Sequence, residues 1–171
     1  MLHYITGSKD ANAQCTLVAI SCKEFGAQLL PSWTDPFENV LCSNNVNEDS
    51  DKFKVVRITI NEGRIAKLLS PFIRAGTKKK VPEKDHANTL LYYGDAEDMK
   101  DILRMHNIYT SYVYLVDGIG RVRWAGSGEG SNEEVSSMIQ FAKQLTQEQI
   151  PARPKQKQSS GPRIGKRLPR S

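Results

Sequence analysis

The sequence has few cysteines and histidines, and neither set is spaced for chemistry. Cys15, Cys22 and Cys42 are odd in number and show no CxxC spacing, so they are not the disulfide framework of a small secreted domain. Cys15 and Cys22 flank an apolar run and read as strand-end thiols. His3, His86 and His106 lie far apart, with no cysteine or carboxylate at ligand spacing, which argues against a metal site. No apolar run approaches the roughly 18 residues of a membrane span, so any membrane association is expected to be peripheral. The opening MLHYITGSKD is neither an apolar signal core nor an arginine-rich transit peptide. The protein is therefore expected either to be cytosolic or to begin here downstream of a presequence.

Catalytic signatures are also missing. There is no Gly-x-Ser-x-Gly elbow and no HExxH. The GEGSNEE stretch lacks the Lys-Ser/Thr ending of a phosphate loop, and Glu129, Glu133 and Glu134 disfavour an anion at that helix start. Acidic residues are absent from 151–171, where Arg153, Lys155, Lys157, Arg163, Lys166, Arg167 and Arg170 stand. Removing these seven from the 24 basic residues leaves 17 against 19 acidic ones. The body is near neutral, and the basicity belongs to a tail too poor in apolar residues to offset its ordering entropy.

What is present is the pattern of one α/β domain. At 171 residues and 39% hydrophobic, the chain is long enough to bury a core without disulfide or metal. Thr16–Ser21 reads as a buried strand. Phe25, Leu29, Trp33 and Phe37 recur at four-residue steps on one helix face, with Pro31 and Pro36 predicting a kinked or two-piece helix. Asn44–Asp51 is a polar loop. Phe53–Ile60 is a strand with Val56, Ile58 and Ile60 on one face and Arg57 and Thr59 on the other. Ile65, Leu68, Leu69, Phe72 and Ile73 predict an amphipathic helix, bent at Pro71 and capped by Gly76, and Thr77–Ala87 is a charged loop. Thr89–Tyr93 is a weaker strand. Asp95 then caps a helix expected to carry Met99, Ile102 and Leu103 inward, with His106 half-buried on the same face.

The strongest local signal is YVYLVDGIGRVRWAG, Tyr112–Gly126. A strand to Val116, a turn Asp117-Gly118-Ile119-Gly120 and a strand from Arg121 make a hairpin. Simple alternation puts Val122 and Trp124 on one face and Arg121 and Arg123 on the other. Ser131 and Glu134 then form a capping box for a helix buried along Val135, Met138, Ile139, Ala142 and Leu145. Pro151 marks the end of the fold.

The order of elements, a βαβ unit followed by a helix and a ββα unit, resembles the thioredoxin-like fold. Redox members of that fold place a CxxC at the first helix and a cis-proline before the hairpin. Here the corresponding stretches read Ser21-Cys22-Lys23-Glu24-Phe25-Gly26 and Thr110-Ser111-Tyr112. These departures argue against disulfide exchange. A one-cysteine peroxidase through Cys22 is the alternative reading, and the arginine and threonine pattern that such enzymes use is not found.

The residues Asn107, Tyr109, Tyr112, Val113, Tyr114, Leu115, Val116, Asp117, Arg121, Val122, Arg123, Trp124 and Gly126 resemble the mitochondrial ATP synthase assembly factor family (the ATPase complex subunit ten family). Phe25-Gly26, Ser32-Trp33 and Pro36-Phe37 are similar to that family's first helix. The resemblance spans roughly residues 15–148. It implies a non-catalytic, thioredoxin-like chaperone without cofactor on the matrix side of the mitochondrial inner membrane. Its partner would be newly made subunit a (subunit 6) of the ATP synthase membrane sector, and no nucleic-acid partner is expected.

On this reading residues 1–14 are an N-terminal segment shorter than in relatives, 15–149 the assembly-factor domain and 150–171 a disordered basic tail. Arg121, Arg123 and Trp124 are the candidate partner contacts. Their bland alternatives are solvated cross-strand charges for the arginines and core packing for the tryptophan. A thiol-dependent peroxidase or reductase using Cys22, and RNA or ribosome binding through the basic tail, stand as the other readings.

Overall fold

The computed structural model describes residues 2–4, 13–43, 50–62, 71, 75–76 and 88–148. Six strands form one sheet: β1 Leu2–Tyr4, β2 Cys15–Ser21, β3 Phe53–Asn61, β4 Thr89–Tyr93, β5 Ser111–Asp117 and β6 Val122–Ser127. Their spatial order is β1-β4-β3-β2-β5-β6. β2, β3 and β4 run parallel, whereas β5 is antiparallel to β2, β6 to β5 and β1 to β4. The helices are α1 Glu24–Leu29, α2 Pro31–Phe37, α3 Glu97–Ile102 and α4 Asn132–Gln147, with a π-helical turn Glu38–Cys42 continuing α2. A parallel β2–β3 crossover followed by an antiparallel β5–β6 pair and a closing helix is the expected thioredoxin-like arrangement. The edge strand β1 has no counterpart among the elements expected from the sequence.

Both faces of the sheet are covered, so the central strands are apolar on both sides. Cys15, Leu17 and Ala19 of β2, with Val113 and Leu115 of β5, face α2 and α4. Leu30, Trp33, Phe37 and Leu41 come down from one helix and Val135, Met138, Ala142 and Leu145 from the other. The stripe predicted for α4 is therefore the observed one. On the opposite face Ile20, Ile60, Tyr112 and Tyr114 pack against Ala96, Met99, Leu103 and Met105. Tyr114 donates its hydroxyl to the Leu103 carbonyl at 2.9 Å, and the Asn107 N–H donates to the Tyr112 hydroxyl at 2.8 Å. Cys15 and Cys22 do lie at the two ends of β2, and the alternation in β3 places Ile58 and Ile60 in this second layer.

Three expectations about faces are corrected. Phe25 is not on the buried stripe but 60% exposed. An α-helix turns about 100° per residue, so strict four-residue steps drift about 40° each. The buried positions are instead Gly26, Leu30, Trp33, Phe37 and Leu41, which absorb the drift with one step of three. Ile102 is 80% exposed while Lys100, two residues earlier, is only 9% exposed, its ammonium held between Glu97 and Glu62. His106 is exposed. α3 ends at Ile102 and Arg104 adopts a left-handed φ of 55°, so the chain leaves the helix and Met105 takes the buried place.

The helix predicted around Ile65–Ile73 falls almost wholly outside the described residues. So do the lysine-rich loop, residues 44–49 and the basic tail.

Candidate functional site

Parallel pairing brings the carboxyl ends of β2, β3 and β4 (Ser21, Asn61 and Tyr93) to one edge of the sheet. The start of β5 joins them, since Ser21 pairs with Ser111. Open α/β sheets present ligand crevices at this edge. Just beyond the strand ends stand Cys22, Glu62, Asp95, the start of α1 and the turn that carries Tyr109. Glu62 accepts hydrogen bonds from the Ala96 N–H at 3.2 Å and from Lys100 Nζ at 3.1 Å. Lys100 Nζ also donates to Glu97 at 2.8 Å, and the Glu97 N–H donates to Asp95 Oδ1 at 3.0 Å. The carboxylates of Glu62, Asp95 and Glu97 lie within 4.8 Å of one another and are exposed. Two of the three hold the Lys100 ammonium, and hydrogen bonds to Glu97 and then Glu62 raise its pKa.

Cys22 is half-buried at this edge. Burial, and then the charge of Glu62, push its thiol above the ordinary value, against smaller opposing effects of Lys100 and Lys23. A redox nucleophile needs the reverse, an electropositive setting that favours thiolate. Cys22 has the position of a thioredoxin-like nucleophile without its electrostatics. Burial likewise pushes Cys15 up to about 12 and Cys42 up to about 11.

α1 approaches the sheet edge more closely than a side chain would allow. A Cβ on Gly26 would lie 2.8 Å from the Thr110 carbonyl carbon and closer still to its oxygen. Glycine is what fits there. That seam fixes the neighbouring residues, Phe25 and Tyr109, and both point outward, 60% and 61% exposed.

The hairpin residues singled out in the sequence have a different geometry from the one expected. Leu115 pairs with Trp124 and Val116 with Val122, leaving Arg123 as the extra residue of a β-bulge. The bulge breaks the alternation. Trp124 shares the face of Leu115, against the α2–α4 layer, and Val122 shares the face of Val116 and is 48% exposed. Arg123 turns toward α4, where Nη1 and Nη2 meet the Glu148 carboxylate at 2.9 and 3.1 Å. It is therefore not on the face opposite Trp124, as simple alternation predicts.

Nor are the arginines merely solvated. Asp117, with no exposed side-chain surface, accepts from the Ile119 and Arg121 N–H groups, from Arg121 Nε at 2.8 Å and from Arg123 Nη1 at 3.4 Å. Burial alone would raise the Asp117 pKa. The hydrogen bonds from Arg121 and Ile119 outweigh it and hold the carboxyl below its ordinary value. Gly120, at φ 92°, closes the turn.

Trp124 is half-buried and meets the fully buried Trp33 edge to face, with ring centroids 5.7 Å apart. The glycine-rich loop after β6 wraps Trp33. The indole Nε1 donates to the Gly128 carbonyl at 2.8 Å, and a Cβ on Gly130 would lie 2.9 Å from the ring. Gly130 makes room for the indole and Gly128 takes a left-handed φ of 81°, which accounts for both without a phosphate. The loop ends in the predicted capping box, with Ser131 Oγ accepting from the Glu134 N–H at 3.3 Å and Glu134 accepting from the Ser131 N–H at 3.0 Å.

Against known proteins, a family described as ATP10 protein matches residues 9–145. No curated protein matches the chain. Among solved structures, the exposed lipoprotein thioredoxin Etrx1 of Streptococcus pneumoniae is similar at 11% identity over 77% of this chain and 87% of that one, with a TM-score of 0.49. Copper-bound yeast Sco1 is similar at 13% identity over 84% and 82%, also with a TM-score of 0.49. A thiol:disulfide interchange protein from Chlorobium tepidum has 15% identity over 77% and 81%, with a TM-score of 0.44.

Proposed function

The chain belongs to the ATP10 protein family, and on that premise we propose that it is a non-catalytic assembly factor for the membrane sector of mitochondrial ATP synthase, receiving newly made subunit a. The observation that carries this reading is the family match over residues 9–145, which takes in the sheet from β2 to β6 and nearly all of α4. The electrostatics of Cys22 add to it. The single thiol at the carboxyl edge sits in a setting that keeps it protonated, which disfavours the thiol-enzyme alternative. Among the described residues no helix is long and apolar enough to cross a membrane. The proposed place, carried by the family membership, is the matrix face of the inner membrane, held peripherally. The ion pairs of Arg121 and Arg123 with Asp117 support a role within the fold for that hairpin clamp.

Affinity capture of the full chain from solubilised mitochondria after a pulse of mitochondrial translation tests this. Newly labelled subunit a is expected with the protein, and loss of the gene is expected to lower assembled ATP synthase. Normal amounts of assembled enzyme without the gene would overturn the reading.

A further inference from the structure

We infer that the carboxyl edge of the sheet, around Phe25 and Tyr109, is where the client docks, and that the occupant is an apolar segment of subunit a flanked by lysine or arginine. The inference rests on the assembly-factor reading and adds a surface and a chemistry to it. Phe25, Ile102, Tyr109 and Val122 are the large hydrophobic side chains left exposed among the described residues. Phe25 and Tyr109 flank one seam: Phe25 precedes Gly26 and Tyr109 precedes Thr110, and Gly26 is packed against the Thr110 carbonyl. The Tyr109 N–H donates to Asn107 Oδ1 at 3.0 Å, so the turn that presents the ring is itself fixed. Two aromatics on rigid supports bury large area at little entropic cost, which is the make-up of an interface anchor.

The charge beside them selects the occupant. Glu62, Asp95 and Glu97 are exposed at the same edge, with Lys100 as the internal counterion, and Asp98 is exposed in the first turn of α3. A surface with an aromatic rim and an acidic flank complements an apolar stretch next to cationic residues. Membrane proteins carry an excess of lysine and arginine in the loops on the side from which they are inserted, so a membrane-sector subunit met from the matrix side offers that combination. The alternative surface is weaker, because Arg123 on the hairpin is already engaged by Glu148 and Asp117.

The test compares capture of pulse-labelled subunit a by the full-length wild-type protein, a Phe25→Ser/Tyr109→Ser double variant, Asp98→Lys, and Val122→Ser as a control on the hairpin. The double variant is expected to lose roughly tenfold or more in capture with an unchanged melting temperature. Asp98→Lys should lose several-fold, and Val122→Ser should match the wild type. A photo-crosslinking benzoylphenylalanine in place of Phe25, which keeps an aromatic there, should give an adduct with subunit a, and the same probe in place of Val122 should give none. Wild-type capture by a folded double variant, or an adduct from position 122 but not from position 25, would overturn the docking surface and leave the assembly reading standing. Failure of the wild-type protein to capture subunit a at all would bring down that reading and the docking surface with it.

Discussion

Replacing Gly26 with alanine tests the seam between α1 and the sheet. Alanine is the better helix former, and in an unobstructed helix interior the change would stabilise by about 1 kcal/mol. Here the added methyl would sit 2.8 Å from the Thr110 carbonyl carbon and 3.3 Å from the Ser111 nitrogen. The obstruction is backbone leading into a central strand, so it cannot rotate away like the end of a side chain. Overpacking of this kind costs typically 1–3 kcal/mol, and about 3 is expected where backbone must move. The net is about 2 kcal/mol of destabilisation. At about 2–4 °C per kcal/mol for a chain of this size, the melting temperature should fall by roughly 4–8 °C. Gly76→Ala is the control, since nothing lies within 4 Å of a Cβ there, and it should leave the melting temperature unchanged or raise it by up to about 2–4 °C. Calorimetry or thermal circular dichroism reads both. An unchanged or raised melting temperature for Gly26→Ala would refute the close approach, and with it the rigid presentation of Phe25 and Tyr109.

Asp117→Asn keeps the shape but removes the charge that Arg121 and Arg123 face, and should cost about 1–3 kcal/mol at neutral pH. The wild-type carboxyl is held below its ordinary value. Its contribution is therefore complete above the unfolded pKa of about 3.9 and is lost as pH falls through the lower folded value. Urea melts from pH 7 to pH 2 should show the difference between wild type and Asp117→Asn shrinking at the acid end; a gap that widens there would contradict the assignment. Arg123→Glu sets a third carboxylate beside Asp117 and Glu148 and should lower the melting temperature more than Arg123→Gln does, whereas equal values would mean that the clamp is not felt. Alkylation by iodoacetamide should be slow for all three cysteines at pH 7, with Cys22 rising first as the solution is made basic and Cys42 and Cys15 lagging behind it. Fast labelling of Cys22 near neutral pH would reopen the thiol-enzyme alternative. Ser131→Ala removes the α4 capping box and should cost about 1 kcal/mol in the same melts.

Local rules determine much of this protein. Short apolar runs mark β2 and β5, alternation marks β3, turn chemistry marks the Asp117–Gly120 reversal, and a serine three residues before a glutamate marks the start of α4. Each of these signals acts within a few residues, so the sequence carries it directly. The absence of CxxC is equally plain, and the structure adds why Cys22 is poorly suited to redox work alone: burial, and then the charge of Glu62 forty residues on, push its thiol above the ordinary value.

Local periodicity does not supply what is fixed by partners distant in sequence. The pairing of β1 with β4 joins residues nearly ninety apart. The Lys100 ammonium is held between Glu97 and the distant Glu62, and Phe25 turns outward because Gly26 must meet Thr110. Gly130 is explained by Trp33, about a hundred residues earlier, whose ring would lie 2.9 Å from a Cβ there. The bulge at Arg123 inverts the expected faces of the hairpin, because one unpaired residue shifts every later side chain to the other side of the sheet. Period and propensity choose the elements; register, close approach and ion pairing, which depend on what tertiary packing brings alongside, decide which residues those elements hide and which they offer.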